Sequence, residues 1–162
     1  MGLEVKVLET KAIEFNGEQR EYLVVDRDIG VPASRYFVKY VLGMTIISDE
    51  VPEKFREPMV LHELLEFETF NFNKYRCFDA LIQELQTVPD GERDAYIEFR
   101  RGVFEHLVRF CEDPVEEEAL RSSRESGSLL MMLTSFRNSK RKTTYYHLQE
   151  LRACLVHLKA LK

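Results

Sequence analysis

The sequence lacks the features of membrane and secreted proteins. No apolar run among its 162 residues approaches the roughly 18–20 residues of a membrane span. The first ten residues also lack the basic segment followed by an apolar segment that forms a secretory signal. We therefore predict a cytoplasmic protein that does not bind membranes. Its length, with 44% hydrophobic and 31% charged residues, suits a single globular domain over residues 1–162.

Cysteine and glycine are scarce, and their placement argues against several kinds of site. The three cysteines, Cys77, Cys111 and Cys154, are far apart and form no C-x-x-C pair. This pattern is typical of reduced core residues and not of disulfides or zinc ligands. The seven glycines form neither a phosphate-binding loop nor a G-x-S-x-G motif. That absence argues against an NTPase and against a hydrolase that uses the latter motif.

Charge is distributed unevenly along the chain. The whole chain has a net charge of −5, but residues 137–162 contain seven basic residues and one acid, so that this segment carries +6 and the rest −11. A basic end can dock on an acidic body or bind an anionic partner. The stretch 136–148 also contains Tyr145 and Tyr146 among its cations, a combination found in nucleic-acid contacts. Because the chain is acidic overall, we rank neutralisation of its own body first, a protein contact second and nucleic-acid binding third.

The first third of the sequence has the pattern of a small sheet. Residues 3–9 alternate apolar and charged side chains, and residues 12–15 lead to Asn16-Gly17, the strongest short signal for a hairpin turn. Residues 21–25 form the return strand, and the apolar, β-branched residues 44–48 predict a further strand in the same sheet. Residues 35–42 fit either a helix or a strand. Since the next residue, a glycine, would end a helix, we predict a helix there.

Helical spacing dominates the rest of the chain. Apolar residues recur every three or four positions in 57–70, 73–85, 92–111 and 144–161. Further helix signals lie at 113–116 and 129–133, so the sequence predicts about five helices. We therefore predict an α+β protein with a small antiparallel or mixed N-terminal sheet in 1–48, a helical core in 49–136 and a basic C-terminal helix in 137–162.

His62, Glu63 and Glu66 form the one constellation that indicates chemistry. On a helix, Glu66 lies about 40° and Glu63 about 100° round from His62, so the three head groups share one sector. Leucine and phenylalanine occupy much of the remaining circumference, which is typical of a buried helix. Buried carboxylates and an imidazole need partners. A divalent metal is one candidate, and Arg or Lys side chains are another.

The order of elements around these residues resembles the core of the zincin metallopeptidases, in particular the minimal ImmA/IrrE kind. The resemblance covers about residues 40–70: a short apolar strand MTIIS, a connection DEVPEKFREP and a helix carrying VLHELLE. It implies a zincin-like core in which His62 binds zinc and Glu63 is the catalytic base of a peptidase acting on a protein or peptide partner. Glu66 stands where the family's second histidine is expected. This departure puts catalysis in doubt and is compatible with a degenerate, non-catalytic member.

A third ligand must come from later in the chain. Carboxylates bind zinc, but His62 and Glu66 alone leave the site one ligand short. Asp79, Glu84 and His106 are candidates by residue type, and no spacing rule chooses among them. We favour Glu84, because its helix is expected to pack antiparallel beside the first. The predicted metal ligands are therefore His62, Glu66 and Glu84.

Two alternatives need no metal. A His and a Glu four residues apart on a helix stabilise each other by about 0.2–0.5 kcal/mol as a simple pair. The protein could also be a non-enzymatic interaction or regulatory module. Its C-terminal leucines, spaced by three and four in 144–161, would then pair with a second copy of the chain to form a homodimer, unless they pack on their own domain.

Overall fold

The computed structural model describes residues 6–26, 36–112 and 144–161. Within these ranges a mixed four-stranded sheet is followed by four α-helices. The elements are β1 (Val7–Phe15), β2 (Glu18–Val25), β3 (Val38–Val41), β4 (Met44–Ser48), α1 (Glu53–Leu64), a π-helical turn (Leu65–Thr69), α2 (Arg76–Gln86), α3 (Asp90–Glu112) and α4 (Thr144–Ala160). The predicted α+β class is confirmed. The described residues contain four helices where about five were expected, and the helix signals at 113–116 and 129–133 lie outside them.

The sheet has the strand order β1-β2-β4-β3. β1 pairs with β2 and β3 with β4 antiparallel, whereas β2 and β4 run parallel. The predicted hairpin is confirmed: Asn16 and Gly17 have φ of 53° and 80°, the positive values that a type I′ turn requires. Residues 7–15 form one continuous strand and not two runs. The predicted strand at 44–48 is β4.

The helix predicted at 35–42 is wrong, because β3 occupies residues 38–41. Gly43 has φ of 84°, but it forms the turn of a second hairpin and does not end a helix. Leu42, also in this turn, has φ of 51°, a conformation that is costly for a bulky residue. Pairing with β4 across this hairpin decided between two local preferences that the sequence left nearly equal.

The central helix begins earlier than its pattern suggested. The helical pattern at 57–70 would place Pro58 in the first turn, but α1 starts at Glu53, so that Pro58 lies inside the helix. Proline there removes one backbone hydrogen bond. The cost is offset by burial: Phe55, Met59 and Val60 of this helix are at most 6% exposed. The tertiary core, and not the local signal, sets where this helix begins.

The helices bury the sheet's inner face and one another. The core cluster includes Tyr22, Val24 and Ile47 from the sheet and Met59 and Leu64 from α1. α4 packs against α3 and α2, and its stripe residues Leu151 and Leu158 are buried within the same chain. In the described part of the chain, no helix has the length and apolar character to cross a bilayer.

Candidate metal centre

His62 lies in the last turn of α1, with its imidazole enclosed by α2, α3 and the π-helical turn. Its exposed fraction is 3%, and its ring stands edge-on to the Phe104 ring. A polar ring in such a position must have both nitrogens paired. The two nitrogens face two different sets of partners.

Nδ1 of His62 faces Glu84, which projects from α2. The Nδ1 to Oε1 distance is 2.7 Å, and the Glu84 side chain is fully buried. Two groups from α3 complete the carboxylate's environment. Arg100 donates from Nη2 to Oε1 at 3.0 Å and approaches Oε2 with Nε at 2.7 Å, and Tyr96 donates its hydroxyl to Oε2. Both oxygens of Glu84 are thereby occupied by donors.

Glu84 and Arg100 form a charged pair in the core. Burial alone would raise the pKa of Glu84, but Arg100 and His62 outweigh it and hold the pKa below its ordinary value. Burial likewise opposes the charge of Arg100, and the Glu84 carboxylate overcomes this and raises the pKa of Arg100. Glu84 is therefore an ionised acceptor that fixes the proton of His62 on Nδ1.

Nε2 of His62 faces Glu66 and Cys77. Glu66 lies one turn further along the chain, in the π-helical turn, and its Oε2 is 3.5 Å from Nε2. Cys77 lies in the first turn of α2, with its Sγ also 3.5 Å from Nε2. Within the described residues, these three side chains form a group whose ligand atoms all lie within 4.8 Å of one another. Each is at most 4% exposed.

The two 3.5 Å distances at Nε2 are compatible with metal ligands, and the one to Glu66 is long for a hydrogen bond. Ordinary N–H···O bonds have lengths of about 2.7–3.2 Å, as the Nδ1 contact with Glu84 does. Tetrahedral zinc, with bonds of about 2.0–2.2 Å to nitrogen and oxygen and 2.3 Å to sulfur, separates its nitrogen and oxygen ligands by about 3.4 Å and its nitrogen and sulfur ligands by about 3.5 Å. The separations of Nε2 from the Glu66 oxygen and from the Cys77 sulfur thus match those between ligands of tetrahedral zinc, and the third separation, from Glu66 to Cys77, is at most 4.8 Å.

Without a metal these groups hold their protons strongly. The Cys154 thiol, burial and the Glu66 carboxylate all raise the pKa of Cys77 well above its ordinary value. Burial lowers the pKa of His62, but Cys77, Glu66 and Glu84 together reverse this and raise it well above its ordinary value. A divalent cation would replace those protons and compensate the buried negative charge in their place.

The start of α2 is held by α4. Oε2 of Glu150 accepts a hydrogen bond from the backbone N–H of Phe78 at 3.1 Å, and a second comes from the backbone of Cys77. This carboxylate caps two of the N–H groups that the first turn of a helix leaves without partners. Cys77 is therefore fixed from outside its own helix.

The structure brings some of the site residues predicted from the sequence together and leaves others apart. His62 and Glu66 come together as expected. Glu84 also reaches His62, but at Nδ1, on the opposite edge of the ring from Glu66. Glu63 is buried with 6% exposure, next to His62 on α1 and outside the group of three. Its role as a base stays a prediction.

The remaining candidates lie apart from the group, and three participants were missed. Asp79 accepts a hydrogen bond from Asn73 at the surface, and His106 is half-buried on α3. Cys77 was assigned to the core because it lacks a second cysteine nearby. Arg100 and Tyr96 are four residues apart on α3, a spacing that places both on one helix face, but nothing in the sequence connects them to Glu84.

The fold and the cluster together define a broad class: an α+β protein whose buried His, Glu and Cys side chains could hold a metal ion. In comparisons with known proteins, this chain matches no family model, no curated protein and no solved structure. Its function must therefore be argued from the geometry of the site.

Proposed function

We propose that this protein binds a divalent metal ion, with zinc as the best fit, through Nε2 of His62, a carboxylate oxygen of Glu66 and Sγ of Cys77. The observation that carries the proposal is the pair of 3.5 Å distances at Nε2. Both are close to the ligand separations around tetrahedral zinc, and the contact with Glu66 is longer than an ordinary N–H···O hydrogen bond.

The donor set selects the metal. Mg²⁺ and Ca²⁺ prefer oxygen ligands, whereas one sulfur, one nitrogen and one oxygen suit a borderline-soft ion such as Zn²⁺. A thiolate and a carboxylate also supply two negative charges, which neutralise a divalent cation in a buried place. The chemistry of the three side chains and their burial thus favour the same ion.

Glu84 supports the site and does not serve as a ligand in this proposal. A histidine that binds metal through one nitrogen usually donates the other N–H to a carboxylate, which orients the ring and raises its basicity. Glu84 has this position, and Arg100 and Tyr96 hold it there. This assignment replaces the predicted ligand set of His62, Glu66 and Glu84 by one in which Cys77 takes the third place.

Peptidase chemistry remains a prediction from the resemblance to zincins. It requires a coordination position that a peptide carbonyl can reach. The exposed fractions of His62, Glu66 and Cys77 are 3%, 2% and 4%. Such burial favours a structural or metal-sensing site over a catalytic one. The predicted homodimer, protein-partner and nucleic-acid functions likewise stay predictions.

Metal analysis tests the proposal. Protein purified without chelator is compared with His62→Ala and with the matched control His106→Ala, which removes an imidazole outside the cluster. We expect about one equivalent of zinc in the unmodified protein and in the control, and its loss in His62→Ala. Less than about a tenth of an equivalent in the unmodified protein, even after incubation with zinc, would contradict the proposal.

Thermal unfolding gives a second readout. An ion that binds only the folded state adds about 2.7 kcal/mol to the free energy of unfolding when its free concentration is about 100 times its Kd. Zinc should therefore raise the Tm of the unmodified protein and leave that of Cys77→Ser nearly unchanged. Equal shifts in both proteins would show that the zinc binds elsewhere.

A further inference from the structure

β1 is a long strand with one unpaired edge. It has nine residues, Val7–Phe15, against a usual strand length of about five or six. It lies at one end of the sheet, and among the described strands only β2 pairs with it. Its other edge therefore presents a row of backbone N–H and C=O groups that a further strand can bind.

The side chains of β1 are accessible along this edge. Val7 and Leu8 are 46% and 42% exposed although they are apolar, and the side chains of Glu9 and Lys11 are 46% and 44% exposed. An open groove of about 660 Å³ lies between β1 and the N-terminal half of α1, with Lys11 in its lining. Another chain can therefore approach the strand both from its edge and from the groove.

The sequence of β1 is complementary to its own reverse. The order Val-Leu-Glu-Thr-Lys-Ala-Ile, centred on Thr10, has apolar residues at both ends and opposite charges on either side of the centre. When two copies pair antiparallel with Thr10 opposite Thr10, Glu9 of each protomer lies opposite Lys11 of the other. The remaining pairs, taken outward from the centre, are Leu8 with Ala12, Val7 with Ile13 and Lys6 with Glu14.

The charges allow one register of such a symmetric pair. Opposed residues of an antiparallel pair lie on the same face of the sheet, so the twofold axis must pass through a residue. An axis at Glu9 or at Lys11 brings two like charges opposite each other, which is destabilising. Of the axes within residues 6–15, only the one at Thr10 opposes residues of opposite charge. Charges on an edge strand usually prevent pairing, whereas these charges select one pairing.

The centre of this pairing uses regular strand. The register of β1 against β2 shifts between Val7 and Glu9, and from Glu9 to Phe15 the two strands pair without a further shift. Such an irregularity bends a strand locally. The three central pairs, formed by Glu9, Thr10 and Lys11, lie on the regular side of the shift, so that only the outer pairs have to adapt to it.

We propose that two copies of this chain form a homodimer through the free edges of β1, antiparallel and centred on Thr10, so that their two sheets become one. Nζ of Lys11 and Oε2 of Glu9 are 3.4 Å apart within each chain, and pairing places the same two groups of the second protomer opposite them, with the charges alternating. The threonine pair at the centre is a favourable cross-strand combination. This interface differs from the predicted pairing of residues 144–161 and does not depend on the proposed metal site.

Charge reversal tests the interface. Lys11→Glu and Glu9→Lys each bring like charges opposite each other twice in a homodimer. Sedimentation velocity of the full chain from about 10 μM to about 1 mM measures dimerisation, and circular dichroism checks the folding of each variant. Arg109→Glu serves as the matched control, because it makes the same change of net charge as Lys11→Glu at an exposed position on α3.

The two reversals should rescue each other. We expect the unmodified chain and the control to dimerise equally, and each β1 variant alone to dimerise at least about tenfold more weakly. An equimolar mixture of the two β1 variants should recover the dimer, because every charged pair at the centre of a mixed dimer again joins opposite charges. The double variant Glu9→Lys with Lys11→Glu should recover it as well. Two chains with damaged strands would not rescue each other, so recovery separates cross-strand pairing from a loss of folding.

Three results would overturn the inference. An unmodified chain that stays monomeric up to about 1 mM forms no such dimer. A dimer whose affinity is the same in both β1 variants uses another surface. Weakening by both reversals without recovery in the mixture would show that Glu9 and Lys11 do not face each other across the interface.

Discussion

Two clusters in this protein each join a glutamate to an arginine and a tyrosine, and they differ in their surroundings. In the core, Glu84 accepts from Arg100 and from the Tyr96 hydroxyl. Between the sheet and the π-helical turn, Glu68 accepts two bonds from Arg20 and one from the Tyr40 hydroxyl, each 2.6 Å long. The first carboxylate is fully buried, whereas the second ion pair is 23% and 28% exposed.

The comparison teaches that burial, and not the list of contacts, determines what such a cluster does. A partly exposed pair exchanges its bonds with water at little cost, so its loss is tolerated. A buried pair cannot do so, and the loss of one partner leaves a charge without compensation. The buried cluster also contains His62, whose second nitrogen is thereby directed at Glu66 and Cys77. The partly exposed cluster includes no such ring among its described contacts.

The largest effect is expected from Glu84→Gln. The substitution preserves shape but leaves the buried Arg100 guanidinium without a counter-charge, and the expected loss is about 3–5 kcal/mol in the free energy of unfolding. Chemical denaturation measures it, with Glu68→Gln as the matched control. The double substitution Glu84→Leu with Arg100→Met should recover part of the loss, because it removes both charges. A loss for Glu84→Gln no larger than that of the control would invalidate the comparison.

A smaller effect is expected from removing the hydroxyl of each tyrosine. Tyr96→Phe deletes a buried hydrogen bond to a carboxylate and should cost about 1.5–3 kcal/mol, since bonds to charged groups lie in that range. Tyr40→Phe makes the same deletion where water can replace the hydroxyl, so a smaller loss is expected. Equal losses in the two variants, measured by denaturant unfolding, would show that burial does not separate the clusters.

The Arg20–Glu68 pair itself should contribute modestly. Glu68→Gln is expected to cost about 1 kcal/mol or less, because the pair is partly hydrated and screened. The loss should shrink further when sodium chloride is raised to about 1 M, where the Debye length is about 3 Å. A loss that does not change with salt would indicate a packing role for Glu68 and not an electrostatic one.

The smallest effect is the acid dependence of this pair. Hydrogen bonds from Arg20 lower the pKa of Glu68 below its ordinary value of 4.5, although burial opposes them. Its contribution is therefore fully present above pH 4.5 and is lost as the pH falls through the lowered pKa of the folded state. The difference in stability between the unmodified protein and Glu68→Gln should narrow below pH 4.5. A constant difference from pH 7 to pH 3 would contradict this assignment.

Local signals in the sequence predicted those features whose cause is local. The Asn16-Gly17 turn needs only two residues that tolerate positive φ. The strand at 44–48 and the long helix α3 follow from short-range patterns of apolar residues. Residues 35–42 were misassigned because their local preferences were balanced, and pairing with β4 decided between them. The helical pattern at 57–70 would put Pro58 in the first turn, because the sequence does not show how much burial offsets a proline in a helix interior.

The features of the candidate metal site likewise have either a local or a tertiary cause. The sequence by itself determined that His62 and Glu66 are neighbours, because four residues make about one turn of any helix. It also indicated that this helix is largely buried, because leucine and phenylalanine occupy much of its circumference. Only the tertiary structure decided that Cys77 faces Nε2, that Glu84 faces Nδ1 and that Arg100 neutralises Glu84. These contacts join residues 15–22 positions apart, and such pairs depend on how helices pack and leave no periodic trace in the chain.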